Sequence, residues 1–271
     1  MDNNSLRKHA LNIRKNIITM IYNAQSGHPG GSLGCADILT YLYFKEMKIN
    51  KKNIGTVDRD RFVLSKGHCS PALYATLKEK GLLDEDLLTF RKINSRLQGH
   101  PNMNYVDGVD MSTGSLGQGI STAVGMAIAN KLDKNKHRIY CLCGDGESEE
   151  GIVWEALQTA VHYNLDNLCV IFDCNNLQID GKVEDVAGDL NLKEKAKAFG
   201  AYVLDCNGHD FDDIEKALKK AKENKDKPTV IIAHTIKGKG VSFMEDNASW
   251  HGSAPNEEQY NNALKELKEA K

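Results

Sequence analysis

The stretch RIYCLCGDGESEEG, residues 138–151, runs a short apolar segment into Gly144-Asp145-Gly146 and then into a helical pattern. A segment apolar on both faces reads as a strand of a parallel sheet buried between helices. A doubly wound sheet opens its ligand crevice at the carboxyl end of such a strand. There the glycines permit close backbone approach, and the next helix offers its N-terminal dipole to an anion. Asp145 then stands where a phosphate would arrive. A carboxylate and a phosphate repel unless a cation separates them, so the pattern asks for Mg²⁺ or Ca²⁺.

The next apolar segment, LCVIFD at 168–173, leads into Cys174-Asn175-Asn176-Leu177, with Asn175 thirty positions on from Asp145. One β-α-β unit takes about 30 residues, which brings the two strand ends side by side. An Asp carboxylate, an Asn amide oxygen and a backbone carbonyl from the following turn are hard oxygen ligands. Two diphosphate oxygens and a water would complete an octahedron. GDG alone is a turn signal; GDG followed at this spacing by NN, each after an apolar strand, is far more specific.

Further strands are expected at 61–65, 138–144, 202–206 and 229–235, and helices at about 5–25, 35–46, 71–80, 118–133, 150–163, 190–199, 211–224 and 256–270. Strands alternating with helices imply an α/β fold, a doubly wound, mostly parallel sheet with helices on both faces. No repeat or linker divides the chain, so a single domain over 1–271 is expected, with a helix-rich excursion at about 1–110 packed on the sheet. The Lys-rich stretch 219–228 reads as a solvated helix end and turn.

Thirty-five Lys and Arg stand against 37 Asp and Glu, a formal charge of −2, so no basic field exists for a polyanion and nucleic acid is not an expected partner. The N-terminus is polar and no apolar run could span a bilayer, which points to a cytoplasmic chain without membrane contact. Seven cysteines include no C-x-x-C pair. Cys141 and Cys143 share one face of a strand and read as buried thiols.

Four of the nine histidines (His28, His68, His100, His209) follow glycine, and His251 precedes one. Proline after His28 and His100 biases both toward extended backbone and fixed presentation. Loop imidazoles beside a phosphate and metal site suit proton transfer near neutral pH. His209 is set apart: Asp210 follows it and precedes a helix, so this segment reads as an N-cap turn. KGKG (237–240) and GSLGQG (114–119) lack the spacing of nucleotide loops after a strand.

The GDG and NN pair resembles the diphosphate-binding motif of thiamine diphosphate enzymes, and the surrounding blocks narrow the resemblance to transketolase. SGHPGGSLG (26–34), DRFVLSKGHCSPALYATL (60–77), GHP (99–101), STGSLGQGISTAVGMA (112–127), GDGESEEG (144–151), FDCNNLQIDG (172–181) and SWHG (249–252) look like that family's blocks, in its order, across almost the whole chain. The resemblance implies the diphosphate-binding (PP-type) fold of these enzymes. It implies that His68 and His251 contact the diphosphate end of the cofactor, and that His28, His100 and His251 face the reacting carbon and the donor sugar. Gly114 would offer a carbonyl to the aminopyrimidine, Leu116 would act as an apolar wedge, and Ile179 would pack beside it. Gly146 would give its N–H to the diphosphate, with Asp145, Asn175 and the Leu177 carbonyl on the metal. Glu150 matches an acid at the subunit interface.

A complete transketolase continues with a pyrimidine-binding domain and a C-terminal domain, and the positions that hold a sugar phosphate lie there. The chain is therefore similar to the N-terminal subunit of a split, two-chain transketolase, expected as a heterotetramer of two copies of each chain. The implied activity moves a two-carbon ketol unit from a ketose phosphate to an aldose phosphate, as in the pentose phosphate pathway, with thiamine diphosphate and Mg²⁺. Alternatives are a 1-deoxyxylulose-5-phosphate synthase-like enzyme, a transketolase for an unusual sugar, or a non-catalytic regulatory subunit.

Overall fold

A computed structural model of the protein describes residues 1–188 and 191–270. The strands are β1 (Arg61–Leu64), β2 (Ile139–Gly144), β3 (Leu168–Cys174), a small hairpin of β4 (Leu177–Gln178) and β5 (Gly181–Lys182), then β6 (Tyr202–Asn207) and β7 (Thr229–His234). The main sheet has the order β1-β2-β3-β7-β6, and every neighbouring pair is parallel. The thirty-residue spacing does what it predicts: β2 lies beside β3, with Gly144 in register with Asp173.

The helices are α1 (Asn3–Ala24), α2 (Pro29–Gly34), α3 (Ala36–Tyr41), α4 (Ser70–Glu79), α5 (Gln118–Leu132), α6 (Gly151–His162), α7 (Val183–Ala187), α8 (Leu192–Ala198), α9 (Phe211–Glu223) and α10 (Glu257–Glu269). Strand alternation splits the core in two. Cys141, Cys143, Val170 and Phe172 meet α5, α6 and α8 on one face. Tyr140, Leu142, Cys169 and Ile171 meet α1, α3, α4, α9 and α10 on the other. The helices that lead into β2, β3 and β6 (α5, α6 and α8) lie on the first face, with α4 of the long β1–β2 connection on the second, and α9 returns the chain to β7 on the second. The direction of winding therefore reverses between β3 and β7, where such sheets bind ligands.

Helix α1 forms because Leu6, Ala10, Ile13, Ile17 and Ile21 repeat along one buried stripe, and the Asp2 side chain caps it by accepting from the Ser5 N–H at 2.8 Å. Asp210 caps α9 in the same way, accepting from the Asp212 and Asp213 N–H groups, as its place before FDDIEKAL predicts. The expected helix at 190–199 is observed as Leu192–Ala198, and position 190 lies outside the described residues. The expected helix at 35–46 ends as α3 and continues as a π-turn over Leu42–Glu46. Helix α2 is not legible in the sequence, because Pro-Gly-Gly reads as a loop. Its glycines serve packing: a Cβ on Gly34 would lie 3.0 Å from the Ile236 carbonyl oxygen, and one on Gly31 2.9 Å from Cys69 Sγ. All seven cysteines are buried free thiols.

A buried ion pair ties the two ends of the chain together. Arg14 on α1 donates twice to Asp37 on α3 (2.9 and 2.7 Å) and once to the Lys239 carbonyl (2.9 Å). Burial alone would raise the Asp37 carboxyl, but the Arg14 guanidinium and the His209 ring outweigh it and hold it at about 2. A depressed folded value adds stability above the unfolded value near 4, and that stability disappears as pH falls through the folded value. Asp37→Asn should therefore lose several kcal/mol at pH 7, because Arg14 is left buried and unpaired. The gap to wild type should narrow between pH 4 and pH 2. Urea unfolding of both proteins across that window checks it; a gap independent of pH would contradict the linkage.

Candidate active site

Four of the five strands of the central sheet deliver polar residues from their carboxyl ends to one place. After β1 come Lys66 and His68, after β2 Asp145 and Gly146, after β3 Asn175 to Leu177, and after β7 Lys237. Around a cavity of about 390 Å³ stand His68, Gly114, Leu116, Asp145, Gly146 and Glu150, and with them Asn175, Leu177, Ile179 and His251. A second cavity of about 650 Å³ shares Asp145 and Asn175 but extends toward Lys193 and His234 and holds none of the clustered imidazoles. Of the two, the smaller is the candidate site, because it joins the strand-end carboxylate to the His68 and His251 rings.

The NN turn has a division of labour. Asn176 adopts φ 60°, a left-handed conformation that asparagine tolerates, and its N–H donates to Asp145 Oδ2. Asn175 Oδ1 accepts from the Leu177 N–H at 3.1 Å. Asp145 also accepts from the Gly146 N–H at 2.9 Å. Burial raises the Asp145 carboxyl, and the nearby Asp173 charge adds to it, to about 6.

Among the described residues no cationic side chain is ion-paired to Asp145. None of them forms a cluster of three His, Cys, Asp or Glu side chains that could hold a metal. The donor set is instead a buried carboxylate, an amide oxygen and a main-chain carbonyl from one turn. These are hard oxygens that fit a small divalent cation. Lys237 Nζ donates to the Leu177 carbonyl at 2.9 Å, so this oxygen already faces positive charge across the junction of β3 and β7.

Three imidazoles form a triangle. Ring centroids lie 5.2 Å apart for His28 and His68, 5.5 Å for His28 and His251, and 5.2 Å for His68 and His251. Lys237 Nζ also donates to His251 Nδ1 at 3.0 Å, which leaves the His251 proton on Nε2. Burial, then the Lys237 charge, lowers His251 to about 3. Burial, then His68, lowers His28 to about 4, and its Nδ1 is buried without a partner. His100 reaches the group through Gly114. A Cβ on that glycine, which sits at φ +149°, would come within 2.9 Å of the His100 ring. Burial and then Arg91 lower His100 as well. At neutral pH the His28, His100 and His251 rings are uncharged, and each presents one N–H donor and one acceptor nitrogen.

Three site residues escape sequence reading. Glu147 is buried, accepts from the Gly117 N–H (2.8 Å) and the Gly144 N–H (2.9 Å), and takes the Ser65 hydroxyl. It thereby fastens the GSLG loop to the ends of β1 and β2. Lys66 forms a buried ion pair with Asp173, which also takes the Thr235 hydroxyl. Lys237 lies in the KGKG run that suggested only a failed nucleotide loop, and a basic residue directly after a strand is the signal that could have found it. Burial lowers it to about 8. His209 stays outside the site, as expected. It is nonetheless engaged: Nδ1 meets Asp37 at 2.8 Å and Nε2 accepts from the Ile236 N–H at 2.8 Å, next to Lys237.

A parallel sheet that gathers a carboxylate, an Asn turn and neutral imidazoles at its switch point places this chain among α/β proteins with a ligand crevice at the carboxyl ends of their strands. Residues 6–268 match the family model described as transketolase, thiamine diphosphate binding domain. The chain is 43% identical over 257 residues to an apulose-4-phosphate transketolase subunit from Phocaeicola vulgatus, covering 94% of this chain and 91% of that protein. It is 44% identical over 263 residues to the 6-deoxy-6-sulfo-D-fructose transketolase subunit SqwG of a Clostridium species, covering 97% and 96%. The crystal structure of transketolase from Campylobacter jejuni superposes with a TM-score of 0.92 at 40% identity, covering 99% of this chain and 43% of that one. The chain belongs to the transketolase family, as its thiamine diphosphate-binding part.

Proposed function

We propose that this chain holds the diphosphate end of thiamine diphosphate with Mg²⁺ and, together with a second subunit, transfers a two-carbon ketol unit from a ketose to an aldose. The observation that carries the reading is the joining, at one cavity, of Asp145, Asn175 and Leu177 with the His68 and His251 rings, against which His28 packs. Asp145, Asn175 and the Leu177 carbonyl hold the metal, while Gly146, His68 and Lys237 meet the diphosphate. Gly114, Leu116 and Ile179 seat the rest of the cofactor. When bound, thiamine diphosphate supplies the nucleophilic carbon on which ketol transfer depends. The chain's own part is to orient the sugar and move protons at its oxygens. His28, His100 and His251 do this as neutral imidazoles, His251 through Nε2–H.

Glu150 and Ile179 are exposed at the cavity rim, which supports this edge as the face a partner subunit covers. Two copies of each chain would then place every cofactor between subunits. Residues 1–110 join the same core as the sheet, which supports reading the chain as one domain. Seven free thiols fit a reducing, cytoplasmic location. The relatives named for apulose 4-phosphate and for 6-deoxy-6-sulfo-D-fructose favour a donor outside the common pentose phosphates. In the complex with its partner, His100→Ala should keep cofactor affinity within about threefold and lower kcat/KM about 10²- to 10⁴-fold. Titration calorimetry beside steady-state assays checks this; an unchanged kcat/KM, or a loss explained by cofactor release, refutes the role.

A further inference from the structure

The side chain of Gln178 lines the same cavity as Asp145, Asn175 and His251, yet none of the roles assigned above uses it. Its Oε1 is buried without a hydrogen-bond partner, and its Nε2 donates to no described residue. A carboxamide carries two N–H donors and an oxygen with two acceptor lone pairs. Leaving one end buried and unpaired costs the desolvation of that group with nothing in return. A side chain kept in such a position calls for a ligand that completes it.

The fold fixes where Gln178 stands. In the β4–β5 hairpin Leu177 pairs with Lys182 and Gln178 with Gly181, and the Val183 N–H closes onto the Asn176 carbonyl at 3.0 Å. Gln178 thus follows directly on the Leu177 carbonyl, whose oxygen takes Lys237 Nζ. Its side chain lies across Gly146: a Cβ built there would stand 2.9 Å from Gln178 Oε1 and 3.1 Å from Gln178 Cβ. Gly146 is not among the glycines with left-handed backbone, so its missing side chain serves close approach and not a turn. What approaches is the carboxamide, at the peptide whose N–H donates to Asp145.

We propose that Gln178 binds the diphosphate of the cofactor, donating a carboxamide N–H to one of its oxygens beside Gly146. The proposal rests on the cofactor reading above and adds a residue to it. A diphosphate only accepts hydrogen bonds, so of the two ends of a carboxamide it takes Nε2. The terminal torsion of glutamine is broad and roughly two-fold, so the group turns end for end without moving the hairpin. Charge explains why an amide stands here. Asp145, Glu147, Glu149 and Glu150 line the cavity against Lys66 and Lys237, and Lys66 is already paired with Asp173. A further carboxylate would repel an anion, whereas an amide donates without adding charge.

The test uses the full chain assembled with its partner subunit, Mg²⁺ and two probes, inorganic pyrophosphate and thiamine diphosphate, with affinities read by titration calorimetry. Gln178→Met removes the donor at similar volume and should weaken both probes by the same factor, at least about tenfold, the worth of a hydrogen bond to a charged acceptor. Gln178→Glu should weaken both by at least about a hundredfold at pH 7.5, because repulsion is added to the lost donor. The empty Gln178→Met complex should unfold in urea no earlier than wild type, since an unpaired polar group has been removed. Wild-type affinity in Gln178→Met would overturn the proposal. So would Gln178→Glu binding at least as tightly as wild type, which would make residue 178 an acceptor for a water on the metal. A loss confined to thiamine diphosphate would assign the side chain to the thiamine rings, and a loss accompanied by a lower urea midpoint would assign it to the fold; either overturns the proposal. If the wild-type complex binds neither probe in the presence of Mg²⁺, the cofactor reading fails instead, and the two failures are distinct.

Discussion

Asp145→Asn is expected to abolish metal-dependent binding of thiamine diphosphate and, at the same time, to make the ligand-free protein more stable. The first effect follows from charge. Asp145 is the one carboxylate in the proposed ligand set, and a unit charge about 4 Å from a cation contributes about 4 kcal/mol at an effective dielectric of 20, near three orders of magnitude in affinity. The second follows from linkage. Burial and the Asp173 charge raise the folded carboxyl to about 6. A raised carboxylate adds stability below its unfolded value that is lost as pH rises through the folded value, so at pH 7.5 the ionised group costs the empty protein up to roughly 3 kcal/mol. Calorimetry with Mg²⁺ and urea unfolding without it give the two numbers. Weakened affinity together with a less stable empty protein would mean that Asp145 serves the fold and not a cation.

The opposite balance is expected one strand away. Lys66→Met leaves Asp173, fully buried, with only the Thr235 hydroxyl and with Asp145 nearby. Removing one partner of a buried pair typically costs about 3–5 kcal/mol, enough to unfold a marginal domain at 37 °C. Lys66→Met combined with Asp173→Leu should recover most of that loss, because no unpaired charge then remains. Urea midpoints for the two variants decide it. A single variant as stable as wild type, or a double variant no better than the single, would show that the pair is not what holds the ends of β1 and β3 together.

Particular residues explain how much of this was legible in the chain. The main strands and long helices lie within a residue or two of their expected bounds, because buried parallel strands and amphipathic helices write their periods directly into the sequence. The pairing of β2 with β3 followed from a spacing, and the metal-ligand candidates from oxygen chemistry at strand ends. Lys66, Glu147 and Lys237 were not found because their roles depend on partners 60 to 107 positions away (Leu177, Ser65, Asp173), and no local period records such contacts. Helix α2 was missed because its glycines answer a packing demand from the loop after β7, which overrides their poor helix propensity. His209 shows the converse. Its local context marked a cap turn, while its ring reaches Asp37 and the backbone beside Lys237 through the tertiary fold.

The central claim is that this chain is half of a ketol-transfer site, and one assay tests it most directly. The purified chain is supplied with thiamine diphosphate, Mg²⁺, a ketose phosphate and an aldose phosphate, first alone and then with a second chain carrying the pyrimidine-binding domain. Positioning contributes several kcal/mol to such reactions, and a cofactor held only by its diphosphate end is poorly positioned. The account predicts no turnover by the chain alone and ketol transfer once the second chain is present. Robust turnover by the single chain, or none by the assembled pair across phosphorylated and sulfonated sugars, would contradict it.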